Sequence, residues 1–395
     1  MRIELTPEQI GNQLGFRLFS KEHIAPHAAE HDREQRVSNA LIREVAEKGY
    51  LLPFLPGEWG GQGMDMVSYG LLHEEVGKAC SSVRSLLTVH DMVGLAIYRW
   101  GSSRQRHTWL SRLARGEIIG ALAISEPNAG SDAGGVETVA IPRNGAYVLS
   151  GKKKWITFGQ IADLFLVLAK CENKPTAFLV ERGTPGFSTR PINDVLGTRG
   201  SMLAELTFDD CVVLPENLVA RKGFGMSSVA LTALGLGRYS IAWGSVGIAQ
   251  ACLDSCMRYV SQRRQFGALL KEHQLIQQMI TEMITDISAA RLLCCQAGYL
   301  KDMNDPREIK ETFTAKYFAS TIAMRAATNA VQIHGANGCS SDYPVERYLR
   351  DAKVMEIIEG STQIQQITIA KFGFQEYEQH LLKEENINQA MAVSV

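Results

Sequence analysis

Hydrophobic side chains recur with helical spacing through the first third of the chain. The segment Thr6-Pro7-Glu8-Gln9 predicts a helix start, because threonine can cap a helix, proline fits its first turn and glutamine completes a capping box. Apolar residues then recur every four positions, at Ile10, Leu14 and Leu18. The glycine-rich segment 57–63 predicts a loop, after which the helical pattern resumes. We therefore expect an N-terminal helical domain over residues 1–118.

From residue 119 to about residue 222 the pattern changes to short apolar runs separated by turn residues. The runs are Tyr147-Val148-Leu149, residues 164–168 and residues 177–180. The turns carry Asn144-Gly145, Ser150-Gly151 and Pro185-Gly186. Short apolar runs bounded by glycine and proline are typical of strands. This part of the chain is predicted to be a compact β domain, residues 119–222.

Helical spacing returns after Gly223-Phe224-Gly225. A stripe of small residues follows one helix face, at Ala319, Ala323, Ala326 and Ala330. Small side chains allow helices to approach closely, so we expect a tight bundle over residues 223–384. Residues 385–395 are predicted to form a frayed tail. The chain as a whole is predicted to be an α+β protein, with a helical, a β and a second helical domain in that order.

Composition narrows the functional classes. The 395 residues are 45% hydrophobic and 21% charged, with a formal net charge of −1. A near-neutral chain without a basic block gives no support for nucleic-acid binding, and no apolar run is long enough for a membrane span. The first residues, Met1 to Leu5, resemble neither a signal nor a transit peptide, so we expect a cytoplasmic protein.

Neither histidine nor cysteine spacing predicts a metal site or a disulfide. His23, His27 and His31 recur at helical spacing, but no cysteine or carboxylate accompanies them in a zinc pattern. The eight cysteines form no CxxC pair, and we expect them to be small buried side chains.

One carboxylate near the carboxyl end has an unusual setting. Glu359 follows the apolar pair Ile357-Ile358 and precedes Gly360, and Thr362 with Gln365 matches a capping box for a new helix. An apolar setting disfavours the charged form and makes the carboxylate a stronger base, as proton abstraction from carbon requires. Proximity to a helix start has the opposite effect on the pKa, and the sequence leaves this balance open.

Four further segments offer groups suited to a planar, phosphorylated ligand. The turn 124–132 carries hydroxyls and backbone N–H groups, and Trp155-Ile156-Thr157 places an aromatic ring beside a hydroxyl at a predicted strand end. Arg263 follows a predicted helix and can pair with a phosphate, and segment 332–338 ends another helix with glycines. The sequence contains no GxGxxG motif and no P-loop motif, so neither type of nucleotide-binding site explains these segments.

The segments SEPNAGSD, WIT, GRYSIAWG, RRQFG, QIHGANG, YPVERYLRDAK and EIIEGSTQIQ occur in this order over nearly the whole chain. In order and spacing the chain resembles the acyl-CoA dehydrogenase family of flavoenzymes. The resemblance implies a fold of N-terminal helical domain, middle β domain and C-terminal four-helix bundle. It also implies an FAD cofactor and oxidation of an acyl thioester, with the α-proton taken by a glutamate and the β-hydride by flavin N5.

The resemblance assigns roles by position. Glu359 corresponds to the catalytic base, and Arg238 and Gly360 to residues near the substrate. Residues corresponding to FAD contacts are Leu122, Ile124, Ser125, Gly130, Ser131, Trp155, Thr157, Arg263, Phe266, Gln332, Ala336, Ser361 and Gln363. Because Arg263 and Phe266 reach the FAD of a neighbouring subunit in the family, the resemblance implies a homodimer or homotetramer. It also implies an acceptor such as an electron-transfer flavoprotein.

Three positions depart from the family pattern. Phe158 follows WIT where asparagine or serine is commoner, and Ala336 replaces a frequent glycine. Gly235 stands where many relatives have an acid that helps to hold the pantetheine part of CoA. This departure, with the segment from Gly237 to Gly244, resembles the subgroup that acts on acyl groups tethered to acyl carrier proteins in polyketide or nonribosomal peptide pathways.

Other activities on the same fold remain open. A short-chain acyl-CoA dehydrogenase of catabolism is the main alternative to the carrier-linked enzyme. A flavin oxidase or monooxygenase is another, although monooxygenases usually lack the base that Glu359 provides. Non-dehydrogenating, DNA-protecting members carry extra basic surface, which a chain with a net charge of −1 lacks.

Overall fold

The computed structural model describes the backbone of residues 4–393 and the side chains of residues 4–383. Residues 1–3, which entered the prediction about a leader segment, and residues 394–395 of the predicted tail lie outside it. No helix within the described range has the length and apolar character needed to cross a membrane.

The described residues of the N-terminal part form the α-helices α1 (Pro7–Phe19), α2 (Ala28–Arg33), α3 (Asn39–Glu47), α4 (Met66–Ala79), α5 (Ser81–Trp100) and α6 (Ser103–Ala114). The predicted start of α1 is confirmed, because Thr6 and Gln9 form a reciprocal capping box. Helices α4 and α5 are buried along most of their length, and Arg84 of α5 lies among these buried residues.

The middle part consists of the strands β1 (Gly120–Ala123), β2 (Val139–Arg143), β3 (Ala146–Ile156), β4 (Leu164–Cys171), β5 (Lys174–Glu181), β6 (Phe187–Pro191), β7 (Ala204–Val213) and β8 (Leu218–Val219). They make one sheet in the order β6-β7-β3-β2-β4-β5-β8, and β1 pairs with β4 in parallel. The predicted β segment is confirmed. The β1–β4 pairing aligns Leu122 with Leu166, and the strand leads directly into the predicted turn 124–132.

The C-terminal part contains α7 (Leu231–Val260), a short hairpin of β9 (Arg264–Gln265) and β10 (Ala268–Leu269), α8 (Gln274–Asp302), α9 (Glu308–His334), α10 (Val345–Met355) and α11 (Thr362–Val393). The alanine stripe of α9 is buried, as predicted. Helix α11 continues to Val393, so the prediction of a frayed tail was wrong for residues 385–393.

Neither a metal site nor a disulfide occurs within the described residues. No group of three or more histidine, cysteine or acidic side chains is arranged to hold a metal. His23 instead lies 2.9 Å from a carboxylate oxygen of Glu44. The cysteines are free and mostly buried, as expected for small apolar side chains.

Candidate active site

The turn between α10 and α11 holds Glu359 in a conformation that is unfavourable for a non-glycine residue. Its φ is +55°, and the following Gly360 has φ +96°. Gln365 Nε2 donates to the Glu359 and Gly360 carbonyls at 3.2 and 3.0 Å, and Lys316 Nζ donates to the Gly360 carbonyl at 2.7 Å. A backbone kept in this region by several hydrogen bonds is typical of functional sites.

The start of α11 differs from the predicted capping box. The Ser361 hydroxyl accepts from the Ile364 N–H at 3.4 Å, whereas the Thr362 hydroxyl donates to the Glu356 carbonyl at 3.3 Å. Ser361 is therefore the cap, one residue earlier than predicted, and Gln365 supports the preceding turn instead of completing a box. The prediction was wrong because serine and threonine are both good N-caps, and only Thr362 has a glutamine three residues later, as a capping box requires.

Helix α7 and helix α5 enclose the carboxylate of Glu359. Its Oε2 atom is buried without a hydrogen-bond partner among the described residues. A Cβ atom built on Gly237 of α7 would lie 2.8 Å from Glu359 Oε2 and 2.8 Å from the sulfur of Met92. Of the apolar pair before Glu359, Ile357 is 57% exposed and does not bury the carboxylate, whereas Ile358 packs against the core. Burial comes from distant helices.

Three cations surround the carboxylate. Burial raises the pKa of Glu359, and the positive charges of Arg238, Arg84 and Lys316 oppose that rise. The net shift of the Glu359 pKa is upward, with burial as the largest cause. Lys316 is itself buried, which lowers its pKa to about 8. Neither Arg84 nor Lys316 was singled out from the sequence. The helical run around Arg84 also carries Ser85, Thr88 and Asp91, so no local pattern marks Arg84 as part of a site.

Arg238, predicted to lie near the substrate, is buried next to the base. Its guanidinium carbon lies 4.4 Å from the centre of the Phe313 ring, a cation–π contact. Burial lowers the pKa of Arg238, and the charge of Glu359 opposes that fall. Gly360, the other predicted substrate contact, has its carbonyl occupied by Lys316 and Gln365.

A second group of predicted residues meets at the edge of the sheet. The Lys154 N–H donates to the Ser125 carbonyl at 2.9 Å, which joins the end of β3 to the segment after β1. Trp155 has φ +65° and a side chain that is 51% exposed. An indole presented in this way can cover one face of a planar ring, and the neighbouring Ser125 and Thr157 hydroxyls can bond to its edge. Leu122 and Ile124 lie on and directly after β1.

A buried ion pair supports the turn that carries Gly130 and Ser131. Lys153 Nζ lies 2.6 Å from Glu126 Oε1, and both side chains are almost fully enclosed. Glu126 also accepts from the backbone N–H groups of Glu137 and, at 3.0 Å, of Thr138. Gly130 and Ser131 are exposed at the tip of this turn. The pair thus fixes the turn while leaving its tip free to bind a ligand.

A third group lies in the helical bundle. A cavity of about 260 Å³ is lined by Tyr259, Arg263, Gln265, Leu270 and residues 333–337, which include Ala336. A guanidinium together with glutamine and asparagine amides suits a phosphate-containing ligand. Gln332 is exposed at the end of α9, and Gln363 is exposed in the first turn of α11. Phe266 is 98% exposed and therefore free to contact a second molecule.

The chain belongs to the acyl-CoA dehydrogenase family. Models of the N-terminal, middle and C-terminal domains of acyl-CoA dehydrogenase match residues 6–117, 121–211 and 223–374. The protein is accordingly an oxidoreductase acting on CH–CH donors. Family members depend on FAD, and the indole, the phosphate-type cavity and the turn described above fit such a group.

Individual proteins support the same assignment. A probable acyl-CoA dehydrogenase, YngJ, of Bacillus subtilis is 40% identical over 94% of this chain and 99% of its own. Butyryl-CoA dehydrogenase from Megasphaera elsdenii superposes with a TM-score of 0.91 at 34% identity, covering 95% of this chain and 100% of its own. A structure described as an electron transferring flavoprotein of Acidaminococcus fermentans has a TM-score of 0.91 at 35% identity, covering 94% of this chain and 99% of its own.

Two other solved structures bear on cofactor and substrate. A glutaryl-CoA dehydrogenase from Mycobacterium smegmatis in complex with FADH2 has a TM-score of 0.89 at 28% identity, covering 93% of this chain and 94% of its own. FkbI is described as acting in biosynthesis of the methoxymalonyl extender unit of the polyketide Fk520. It has a TM-score of 0.84 at 29% identity, covering 92% of this chain and 99% of its own.

Proposed function

We propose that the chain dehydrogenates a small acyl group carried as a thioester on an acyl carrier protein, with Glu359 as the base. The observation that carries the base assignment is the Glu359 carboxylate, whose buried Oε2 atom lies against Gly237 and which is influenced electrostatically by three cations. Oxidation removes a proton from the α-carbon and a hydride from the β-carbon, and leaves a carbon–carbon double bond. Bound FAD supplies the hydride acceptor.

The surroundings of Glu359 suit proton abstraction. Burial raises the pKa of the carboxyl, which makes the ionised form a stronger base, while the cations keep that form accessible. The Glu359 backbone N–H makes no backbone hydrogen bond within the described part of the chain, so it can donate to the thioester oxygen as charge develops there. The turn fixes this amide and the carboxylate relative to each other.

Gly235 supports a carrier-bound substrate. A Cβ atom built there would meet nothing within 4 Å, so the position faces open space on α7. An acidic side chain at this position would be free to contact pantetheine, and glycine offers none. The similarity to FkbI, which takes part in making a polyketide extender unit, is consistent with a carrier-linked acyl group.

A short-chain acyl-CoA ester is the second candidate. The similarity to butyryl-CoA dehydrogenase favours it, since the two chains align over nearly their whole lengths. An acceptor of the electron-transfer flavoprotein type is consistent with the Acidaminococcus structure. We also propose that Arg263 and Phe266 serve the FAD of a second subunit, because Phe266 projects from its own protomer.

Replacement of the base tests the reaction. Glu359→Gln should retain bound FAD but slow anaerobic flavin bleaching by about 10³-fold, the range that general-base catalysis contributes. Glu356→Gln is the matched control, because its carboxylate pairs with Lys353 at 2.8 Å instead of occupying the site. Bleaching of the Glu359→Gln protein at the wild-type rate would reject the base assignment.

Matched thioesters test the carrier. The same short acyl group is offered to the wild-type protein on CoA and on a phosphopantetheinylated carrier protein. We expect a higher kcat/KM with the carrier. Equal or higher kcat/KM with the CoA ester would favour the second candidate and leave the reaction itself unchanged.

A further inference from the structure

One face of α7 leads from the protein surface to the base. Leu231, Gly235 and Arg238 are spaced by four and three residues and therefore share this face. Leu231 is 49% exposed, and a Cβ on Gly235 would meet nothing within 4 Å. Arg238 is buried and interacts with the charge of Glu359. The helix rises by roughly 9 Å from Leu231 to Gly237, where the carboxylate lies, so a substrate tethered at the surface needs a thin arm to reach the base.

Large apolar side chains are exposed around the outer end of this face. Trp100, Phe224 and Leu231, here called the apolar cluster, are 38%, 46% and 49% exposed. Trp100 Nε1 donates to the Thr232 hydroxyl at 2.8 Å, which places the indole beside the first turn of α7. The Phe224 carbonyl accepts from the Ser228 N–H at 3.2 Å, at the start of the helical segment 225–230 that runs into α7. Several large apolar residues exposed near one another indicate an interaction site.

Cations flank the apolar cluster. Three of them are exposed and form no ion pair within the described part of the chain: Arg99, Lys174 and Arg221. Arg99 directly precedes Trp100 in α5. The Ala220 N–H donates to the Trp100 carbonyl at 3.2 Å, which brings the adjacent Arg221 to the same place. A Cβ on Gly223 would lie 3.3 Å from Lys174 Cδ, so the lysine side chain passes next to the segment that carries Phe224.

The acidic residues nearby are already paired. Glu172 lies 2.6 Å from Lys222, and Glu216 lies 3.0 Å from Arg104. The surface formed by Arg99, Lys174 and Arg221, here called the basic surface, therefore carries an excess of positive charge, although the whole chain has a net charge of −1. A local excess of one charge attracts a partner of the opposite charge and speeds the encounter between the two.

We propose that the basic surface and the apolar cluster dock an acidic carrier domain, whose substrate arm lies along the open face of α7. This proposal rests on the proposed function. A carrier must leave after each turnover, and a small interface with charged residues at its rim suits such a brief encounter. Carboxylates of the carrier would face the three unpaired cations, while its apolar side chains cover Trp100, Phe224 and Leu231. The side chain that Gly235 lacks leaves room for the arm.

The test offers one acyl group on three thiols. Butyryl is attached to an acidic acyl carrier protein, to CoA and to pantetheine alone, and anaerobic flavin bleaching is followed. Arg221→Glu and Lys174→Glu should each lower kcat/KM for the carrier ester by about 3- to 10-fold, since each replaces an attraction by a repulsion. The pantetheine ester, which has no protein to dock, should stay within about twofold. Added salt should slow the wild-type reaction with the carrier and reduce the difference between wild type and variants.

Two further variants separate location from charge. Arg43→Glu is the matched control, because Arg43 is also exposed and without an ion pair among the described residues, but lies on α3. It should leave the use of all three esters unchanged. Phe224→Ser should lower kcat/KM for the carrier ester by a similar factor at low and high salt, because salt does not screen an apolar contact. Thermal unfolding and flavin content show that each variant is folded and loaded.

The outcomes distinguish this proposal from the proposed function. If the charge reversals weaken the CoA ester as much as the carrier ester, the cations bind the phosphates of CoA, and the docking surface is rejected. If the wild-type protein prefers the carrier ester but neither salt nor the reversals change its use, only the docking surface is rejected. If the carrier ester is used no better than the pantetheine ester, both the carrier and its docking surface are rejected. Failure of every ester to bleach the flavin would reject the reaction itself.

Discussion

Substituting Gly237 by alanine should displace the catalytic base without unfolding the protein. Gly237 is a buried residue in the first third of α7, where its helical backbone can accept alanine without strain. The added methyl would lie 2.8 Å from Glu359 Oε2 and 2.8 Å from the Met92 sulfur. Both atoms are at the ends of flexible side chains, so they can move away while the helix stays in place.

The size of the effect follows from these distances. A comfortable contact needs about 3.5 Å, so the carboxylate must retreat by roughly 0.7 Å. Misplacement of a catalytic group by about 1 Å can cost about 10²-fold in rate, so we expect bleaching to slow by about 10- to 100-fold. Alanine gains about 1 kcal/mol of helix propensity over glycine, which offsets part of the cost of moving Met92 and Glu359. The net change in stability should be small.

The assay is anaerobic stopped-flow loss of oxidised-flavin absorbance, alongside thermal unfolding and flavin content. Gly15→Ala in α1 is the control, because its Cβ would meet nothing within 4 Å and it tests helix propensity alone. If Gly237→Ala bleaches within threefold of the wild-type rate at unchanged stability, α7 does not hold the carboxylate in its reactive position. The site geometry described here would then be wrong.

Two further outcomes test the electrostatics and the assembly. The bleaching rate should rise with pH through an apparent pKa above the ordinary glutamate value, because the ionised base is required and burial raises the pKa of Glu359. Lys316→Met should move this rise to higher pH, because the substitution removes a positive charge that lowers the pKa of Glu359. A rise at lower pH, measured by stopped flow, would show that Lys316 does not stabilise the ionised carboxylate. Phe266→Ala should leave monomer folding unchanged, because the ring is 98% exposed, yet weaken flavin retention as measured after gel filtration. Unchanged flavin content would remove Phe266 from the cofactor site.

The order and type of the structural elements could be predicted from local patterns. Capping at Thr6, apolar periodicity and the Gly/Pro turns of the β segment each depend on neighbouring residues, and these predictions were confirmed. The end of α11 was mispredicted for the same reason, since a polar terminal segment has no local signal that separates a frayed tail from an exposed helix. Likewise, Ser361 and Thr362 are equally good caps by composition.

The surroundings of the base could not be predicted in the same way. Glu359 is found by its motif, but its burial depends on α5 and α7, more than 100 residues earlier in the chain. The apolar character of Ile357 predicted a raised pKa for Glu359, but the side chain of Ile357 is exposed and does not bury the carboxylate. Arg84 and Lys316 lie in helices that carry other charged residues, such as Asp91 and Arg325, and their convergence on one turn appears only when the helices pack.

Glycines inside a buried helix give a partial sequence signal for such long-range contacts. Glycine weakens a helix, so its recurrence at Gly237 and Gly244 indicates that other atoms occupy the space of a side chain. At Gly237 those atoms belong to Met92 and to the carboxylate of Glu359, the proposed base, and at Gly244 they belong to Arg84. At Gly247 they are backbone atoms of α4, an ordinary helix contact. A buried glycine of α7 therefore marks where another group approaches, whereas Gly235 of the same helix has nothing within 4 Å of its Cβ position. On α7 the two charged groups, Glu359 at Gly237 and Arg84 at Gly244, approach the same helix face, since seven residues are about two turns.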